Sequence, residues 1–190
     1  ARDKLRLPSD EFMFLFVGQH IWEKNLEFLL EALAEIRTLP FRMYFIGSGY
    51  AASELRRKTE DLYLTDKVIF MGSITERERL KLYYAAADLF LFPSLYDNAP
   101  LVVREAAALH TPSLLIKGST SAEVIHDSVN GFLSDNSVTA YASRISQLLE
   151  TTQLIAEAGE AASHSIARSW EDVAEEVYDR YVNLIHRSGN

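Results

Sequence analysis

Asp97 and Glu105 stand eight positions apart in the stretch SLYDNAPLVVREAAALHTP, residues 94–112. An ionised carboxylate only accepts hydrogen bonds, and its two oxygens can take both hydroxyls of a diol. The types also suit plainer work. Asp97 or Asn98 could cap a helix that starts near Pro100, since Asp and Asn favour caps and Pro favours the first turn. Glu105 could be a surface glutamate. It sits, however, between Val102-Val103 and Ala106-Ala107-Ala108, and an ionised group on so apolar a helix calls for a partner or a ligand. Arg104, adjacent in sequence, points elsewhere. Lys24 is a third candidate. It lies six positions past Gly18, just ahead of a helical pattern, where an ammonium could reach a phosphate or remain solvated.

Other chemistries find less support. There is no G-x-x-x-x-G-K-[ST] loop, and GSGYAAS, after the second apolar run, does not match G-x-G-x-x-G. The five histidines (20, 110, 126, 164, 186) show no metal-ligand spacing, and no cysteine is present to join them. His20 alone falls at the expected ligand edge. His110 falls at a helix end, where a left-handed residue is expected. No nucleophile elbow with triad partners is visible.

The elements that must position these residues follow from hydrophobic pattern. FMFLFVG, FRMYFIGSG, KVIFMGS, DLFLFPS and PSLLIKG are apolar runs of the kind that form strands buried on both faces, and GFLSD after Asn130 is a sixth. Between them lie helical patterns. Leu26, Leu29, Leu30, Leu33 and Ile36 share one face, with Glu27, Glu31 and Glu35 opposite. Glu76 to Ala87 and Pro100 to Leu109 also read as helices, and the chain turns wholly helical after Val138. Trp170, Val173, Val177, Tyr181 and Leu184 make a stripe on a last long helix. Alternating strand and helix predicts one Rossmann-like, doubly wound parallel sheet of about six strands, helices on both faces, and extra C-terminal helices. Residues 1–11 read as a linker, 12–169 as the sheet domain and 170–190 as a terminal helix. In such sheets ligands sit at the strands' carboxyl ends. Those ends carry Gly18-Gln19-His20, Gly47-Ser48-Gly49, Gly72-Ser73-Ile74, residues 93–100 and Lys117-Gly118-Ser119-Thr120.

The 190 residues suit one domain, and 48% hydrophobic content supports a large core. A net charge of −8 argues against nucleic acid as the main partner. The absence of cysteine fits a reducing, cytoplasmic setting. No apolar run is long enough to span a bilayer, and the charged opening ARDKLRLPSDE is unlike a signal peptide.

From FLFVGQHIWEKN through VIFMGSITERERLKLYYAAADLFLFPSLYDNAPLVVREAAALHTPSLL to AEVIHDSVNGFL, the chain resembles the C-terminal half of retaining glycosyltransferases of family 4, which have the GT-B fold. The Y-A-A-A-D strand entry and the acidic-x7-Glu motif carry the likeness. The resemblance implies that the two acidic residues hold a nucleotide-sugar donor, with Asp97 facing the hexose hydroxyls and Glu105 the ribose diol. Backbone N–H groups of Asn98, Ala99, Leu101 and Val102 would approach sugar and phosphate at the helix N-terminus. Lys24 would bind phosphate beside Gly18 and Gln19, and the loop at Ile74 would meet the base through its backbone. Gly47 and Gly49 would border the same edge. UDP is the expected nucleotide, with no metal or other cofactor.

Three departures stand out. The family usually has Glu where Asp97 stands, Arg where Gln19 stands and often Gly where Pro100 stands, and proline has no N–H to offer. The resemblance further implies a second, N-terminal domain that binds the acceptor and would supply any peripheral membrane contact. This chain alone is expected to bind nucleotide without transferring sugar. Two alternatives remain at this stage: a GT-B nucleotide-sugar epimerase, and a non-catalytic nucleotide-binding domain of doubly wound type.

Overall fold

The computed structural model describes residues 1–8, 11–97, 100–167 and 170–188. Six strands form one sheet: β1 (Phe12–Val17), β2 (Phe41–Ile46), β3 (Val68–Gly72), β4 (Leu89–Phe92), β5 (Ser113–Ile116) and β6 (Phe132–Ser134). They lie in the order β3-β2-β1-β4-β5-β6, and every pairing is parallel. The six expected strands are therefore present, including the short β6 after Asn130.

The long helices between them are α2 (Leu26–Glu35), α3 (Ala52–Asp61), α4 (Arg77–Ala86) and α5 (Leu101–Ala108); α6 (Val138–Glu150), α7 (Thr152–Ser165) and α8 (Trp170–Ser188) follow β6. The apolar face expected on α2 is fully buried at Leu26, Leu29, Leu30 and Leu33. That helix packs against α3 and α6, while α4 packs against α5 and α5 against α7, which covers both faces of the sheet.

The stretch read as a linker contains one helical turn. Arg2–Leu5 form a short helix, α1, packed against α4. The Arg2 guanidinium donates to the Ala86 carbonyl at 3.0 Å and pairs with Asp88, whose carboxylate also accepts the Met13 N–H at 2.7 Å. The aspartate of the Y-A-A-A-D motif thus ties α1 and the start of β1 to the entry of β4.

A row of aromatic rings crosses the carboxyl half of the sheet. Phe70, Phe45 and Phe16 lie in register on β3, β2 and β1, with centroids 5.0 and 5.8 Å apart, and Phe92 of β4 stacks on Phe16 at 5.9 Å. This apolar floor supports the loops above it.

Candidate functional site

The strand order turns between β1 and β4, so their carboxyl ends lie side by side. After β1 the chain makes a 3-10 turn over Trp22–Lys24, closed by Asn25 in the left-handed region (φ 57°). Two bonds fasten this turn to the end of β4: Asn25 Nδ2 donates to the Pro93 carbonyl at 3.3 Å, and Ser94 Oγ donates to the Glu23 carbonyl at 3.4 Å. So placed, Lys24 Nζ lies 5.8 Å from the centroid of Phe92 and forms an ion pair with the Asp97 carboxylate. The two side chains are 19% and 20% exposed.

Asp97 is fixed from behind by the 3-10 segment Thr120–Val124. The Thr120 hydroxyl accepts the Asp97 N–H at 2.9 Å and donates to the Asp97 carbonyl at 3.0 Å; the Ser121 hydroxyl donates to the same carbonyl at 3.1 Å. Among the described residues α5 has Pro100 at its N-cap and no side-chain cap bond, so the capping role weighed for Asp97 is not the one it plays. The first N–H groups of that helix, at Leu101 and Val102, have no carbonyl of the same helix to meet. Asn98 and Ala99, expected beside them, lie outside the described residues.

Glu105 is in the second turn of α5 and exposed. Its partner is Tyr84 of α4, whose hydroxyl donates to Oε2 at 2.9 Å. Among the described residues no bond links Glu105 to Lys24 or Asp97. Tyr84 is only 2% exposed, and burial, followed by the Glu105 charge and their hydrogen bond, holds its phenol far above the usual range. It is a donor at every physiological pH. A groove of about 180 Å³ between α4 and α5 is lined by Arg77, Leu80, Lys81, Tyr84, Glu105 and Leu109, among others.

The remaining candidates divide by burial. Gln19 is exposed beside Gly18, and Ile74, beyond β3, is half-buried against the core. Gly47 and Gly49 serve a close approach between two loops. A Cβ on Gly47 would fall 1.9 Å from the Gly18 carbonyl oxygen, and one on Gly49 would fall 2.3 Å from that of His20. His20 does not project to the ligand edge. Its ring turns onto the aromatic row, 5.8 to 6.3 Å from Phe70, Phe45 and Phe16, and is 2% exposed, with Nε2 unpartnered among the described residues. Burial, and then the Arg56 charge, lower its pKa.

Among the described residues no group of three or more His, Asp or Glu side chains could hold a metal ion. A larger cavity, about 460 Å³, lies at the β6 edge, with Lys117, Asp135 and Arg144 in its wall; none of the predicted site residues lines it. Tyr84, Ser121 and Asn25 were not singled out by the sequence, and Thr120 was noted only as part of the loop after the fifth strand. Only the tyrosine, in the Y-A-A-A-D run, sat within a noted motif.

A six-stranded doubly wound sheet with these residues at its turning point is a Rossmann-like domain of the GT-B type. The chain belongs to the family of glycosyl transferases group 1, whose model matches residues 1–165. It is 31% identical over 131 residues to an uncharacterized glycosyltransferase of Methanocaldococcus jannaschii, covering 68% of this chain and 33% of the relative. It is 31% identical over 198 residues to D-inositol 3-phosphate glycosyltransferase 2 of Catenulispora acidiphila, covering 97% and 46%. Among solved structures, sucrose-phosphate synthase of Thermosynechococcus elongatus superposes with a TM-score of 0.85 at 28% identity, covering 98% of this chain and 48% of that one. HepE of Anabaena, solved in complex with UDP, superposes at 0.83 and 21% identity, covering 96% and 51%. The chain thus spans a third to a half of these relatives, and it matches the C-terminal half of the GT-B fold. No described helix is long and apolar enough to cross a membrane.

Proposed function

We propose that this chain is the donor-binding half of a cytoplasmic, family 4 glycosyltransferase that moves a hexose from a UDP-sugar with retention at the anomeric carbon. The observation that carries the reading is the Lys24–Asp97 pair at the turning point of the sheet, close in sequence to the N-terminus of α5. In this reading Lys24 and the N–H groups of Leu101 and Val102 take up the diphosphate charge as it leaves, without a metal. Asp97 accepts the hexose hydroxyls. Glu105 accepts the ribose diol, and the backbone near Ile74 meets the base. UDP bound to an Anabaena protein of the same fold supports uridine as the nucleoside. The acceptor belongs to a second domain that would close over this edge. The stripe on α8 supports such a neighbour: Val177, Tyr178, Tyr181 and Ile185 are 44%, 70%, 64% and 69% exposed.

The test is calorimetry of the chain with UDP in the presence of EDTA. We expect weak binding, with UDP preferred to GDP, because half a cleft cannot exclude water. Absence of heat at millimolar UDP, or binding that appears only with magnesium, would count against the reading.

A further inference from the structure

Tyr84 is the buried group that the reading above leaves without work. Its ring packs on Phe90 at 5.8 Å. Its backbone carbonyl accepts the Thr111 hydroxyl at 2.6 Å, and the Thr111 N–H donates to Ala106 of α5 at 3.0 Å. One threonine therefore fixes the tyrosine's place on α4 relative to the helix that carries Glu105. The phenol hydroxyl then reaches one carboxylate oxygen, Oε2.

We propose that Tyr84 is a positioning residue that holds the Glu105 carboxylate in the orientation that receives the ribose hydroxyls; this rests on the donor-binding reading. An exposed glutamate turns about three side-chain bonds, and ordering it on a ligand costs rotamer freedom. The tyrosine sets that order in advance. A carboxylate has about four acceptor sites, and the phenol occupies one, so both oxygens retain capacity for a diol. The buried hydroxyl also needs a partner for its own sake. A purely structural bond of that kind and a positioning bond differ in one respect: only the second makes affinity depend on Tyr84 in proportion to what the ligand offers Glu105.

The experiment compares UDP with 2′,3′-dideoxyuridine 5′-diphosphate, which lacks the diol. Tyr84→Phe keeps the ring and leaves no buried polar atom, and the exposed Glu105 can rehydrate, so folding should hold. We expect Tyr84→Phe to weaken UDP about three- to tenfold, the range of one net hydrogen bond, and to leave the dideoxy nucleotide unchanged. In a Glu105→Gln background the effect of Tyr84→Phe should shrink to within about twofold, because the two residues act as one unit. Equal losses for both nucleotides, or no loss for UDP, would overturn the assignment. If Tyr84→Phe lowers thermal stability markedly, difluorotyrosine in place of Tyr84 preserves the shape and sharpens the donor. It should shift UDP affinity alone, and an unchanged UDP affinity would again overturn the assignment. The two readings fail separately. Parent protein that ignores UDP defeats the donor-binding reading and this one with it. UDP binding that depends on Glu105 but not on Tyr84 defeats this one alone.

Discussion

Lys24 and Asp97 satisfy each other in an ion pair. Each is about four-fifths buried, and a lone charge in that position would be costly, so removing one partner burdens the other. A diphosphate would give Lys24 a second anion without taking it far from Asp97. In the proposed role Lys24→Ala should weaken UDP by about tenfold or more, the worth of a charge-assisted bond of roughly 1.5–3 kcal/mol, and leave uridine untouched. Titration of the variant with both ligands checks this, and equal losses would place Lys24 outside the phosphate site. At this scale the charged residues were legible by type and spacing. Their supports were not: Tyr84 acts on Glu105 across 21 positions, and Thr120 and Ser121 hold Asp97 across 23 and 24. A hydroxyl or a phenol carries no signal in sequence that tells which distant backbone or carboxylate it will meet.

Elements were more legible than contacts, because periodicity is local. The leucine face of α2, the strand runs and the left-handed His110 (φ 59°) all follow from patterns within a few residues. The direction of His20 does not. It leaves a glycine at the end of β1, as an exposed ligand contact would, yet its ring closes the row of Phe16, Phe45 and Phe70. This placement has a pH consequence. The folded pKa lies below the ordinary 6.5, so below that value the unfolded chain binds the proton more readily than the native one. The stability that His20 confers is complete above about pH 6.5 and declines as pH falls toward the lowered value. Urea denaturation between pH 7.5 and 5 should therefore show a steeper loss for the parent than for His20→Phe, which keeps an aromatic ring in the row. Parallel profiles would mean that the ring escapes its pocket before it titrates. The short α1 was missed for the same reason as His20: Arg2 finds Ala86 and Asp88, more than eighty positions away, and a one-turn helix has no periodicity to announce it.

On the scale of the whole molecule, the proposed reading makes the sheet one wall of a site. Lys24 and Asp97 pair at the carboxyl ends of β1 and β4, and α8 carries a row of exposed apolar side chains. The relatives it matches are a little over twice as long. Glycosyl transfer requires more than donor binding. In the proposed reading a departing diphosphate would gain most from Lys24 and the α5 N–H groups in a water-poor cleft, since such interactions strengthen as solvent leaves. Attack on the anomeric carbon also needs an acceptor held in line, and positioning of that kind accounts for a large share of the rate. In that reading a single wall leaves water competing at both points. The 190-residue chain should therefore bind UDP-glucose and transfer nothing from any UDP- or GDP-sugar to an acceptor. The measurement is product formation over long incubation at high enzyme concentration, with binding of the same donor verified by calorimetry in the same buffer. Binding without turnover is the expected outcome. Sustained transfer by this chain alone would mean that the residues described here complete an active site without a second wall.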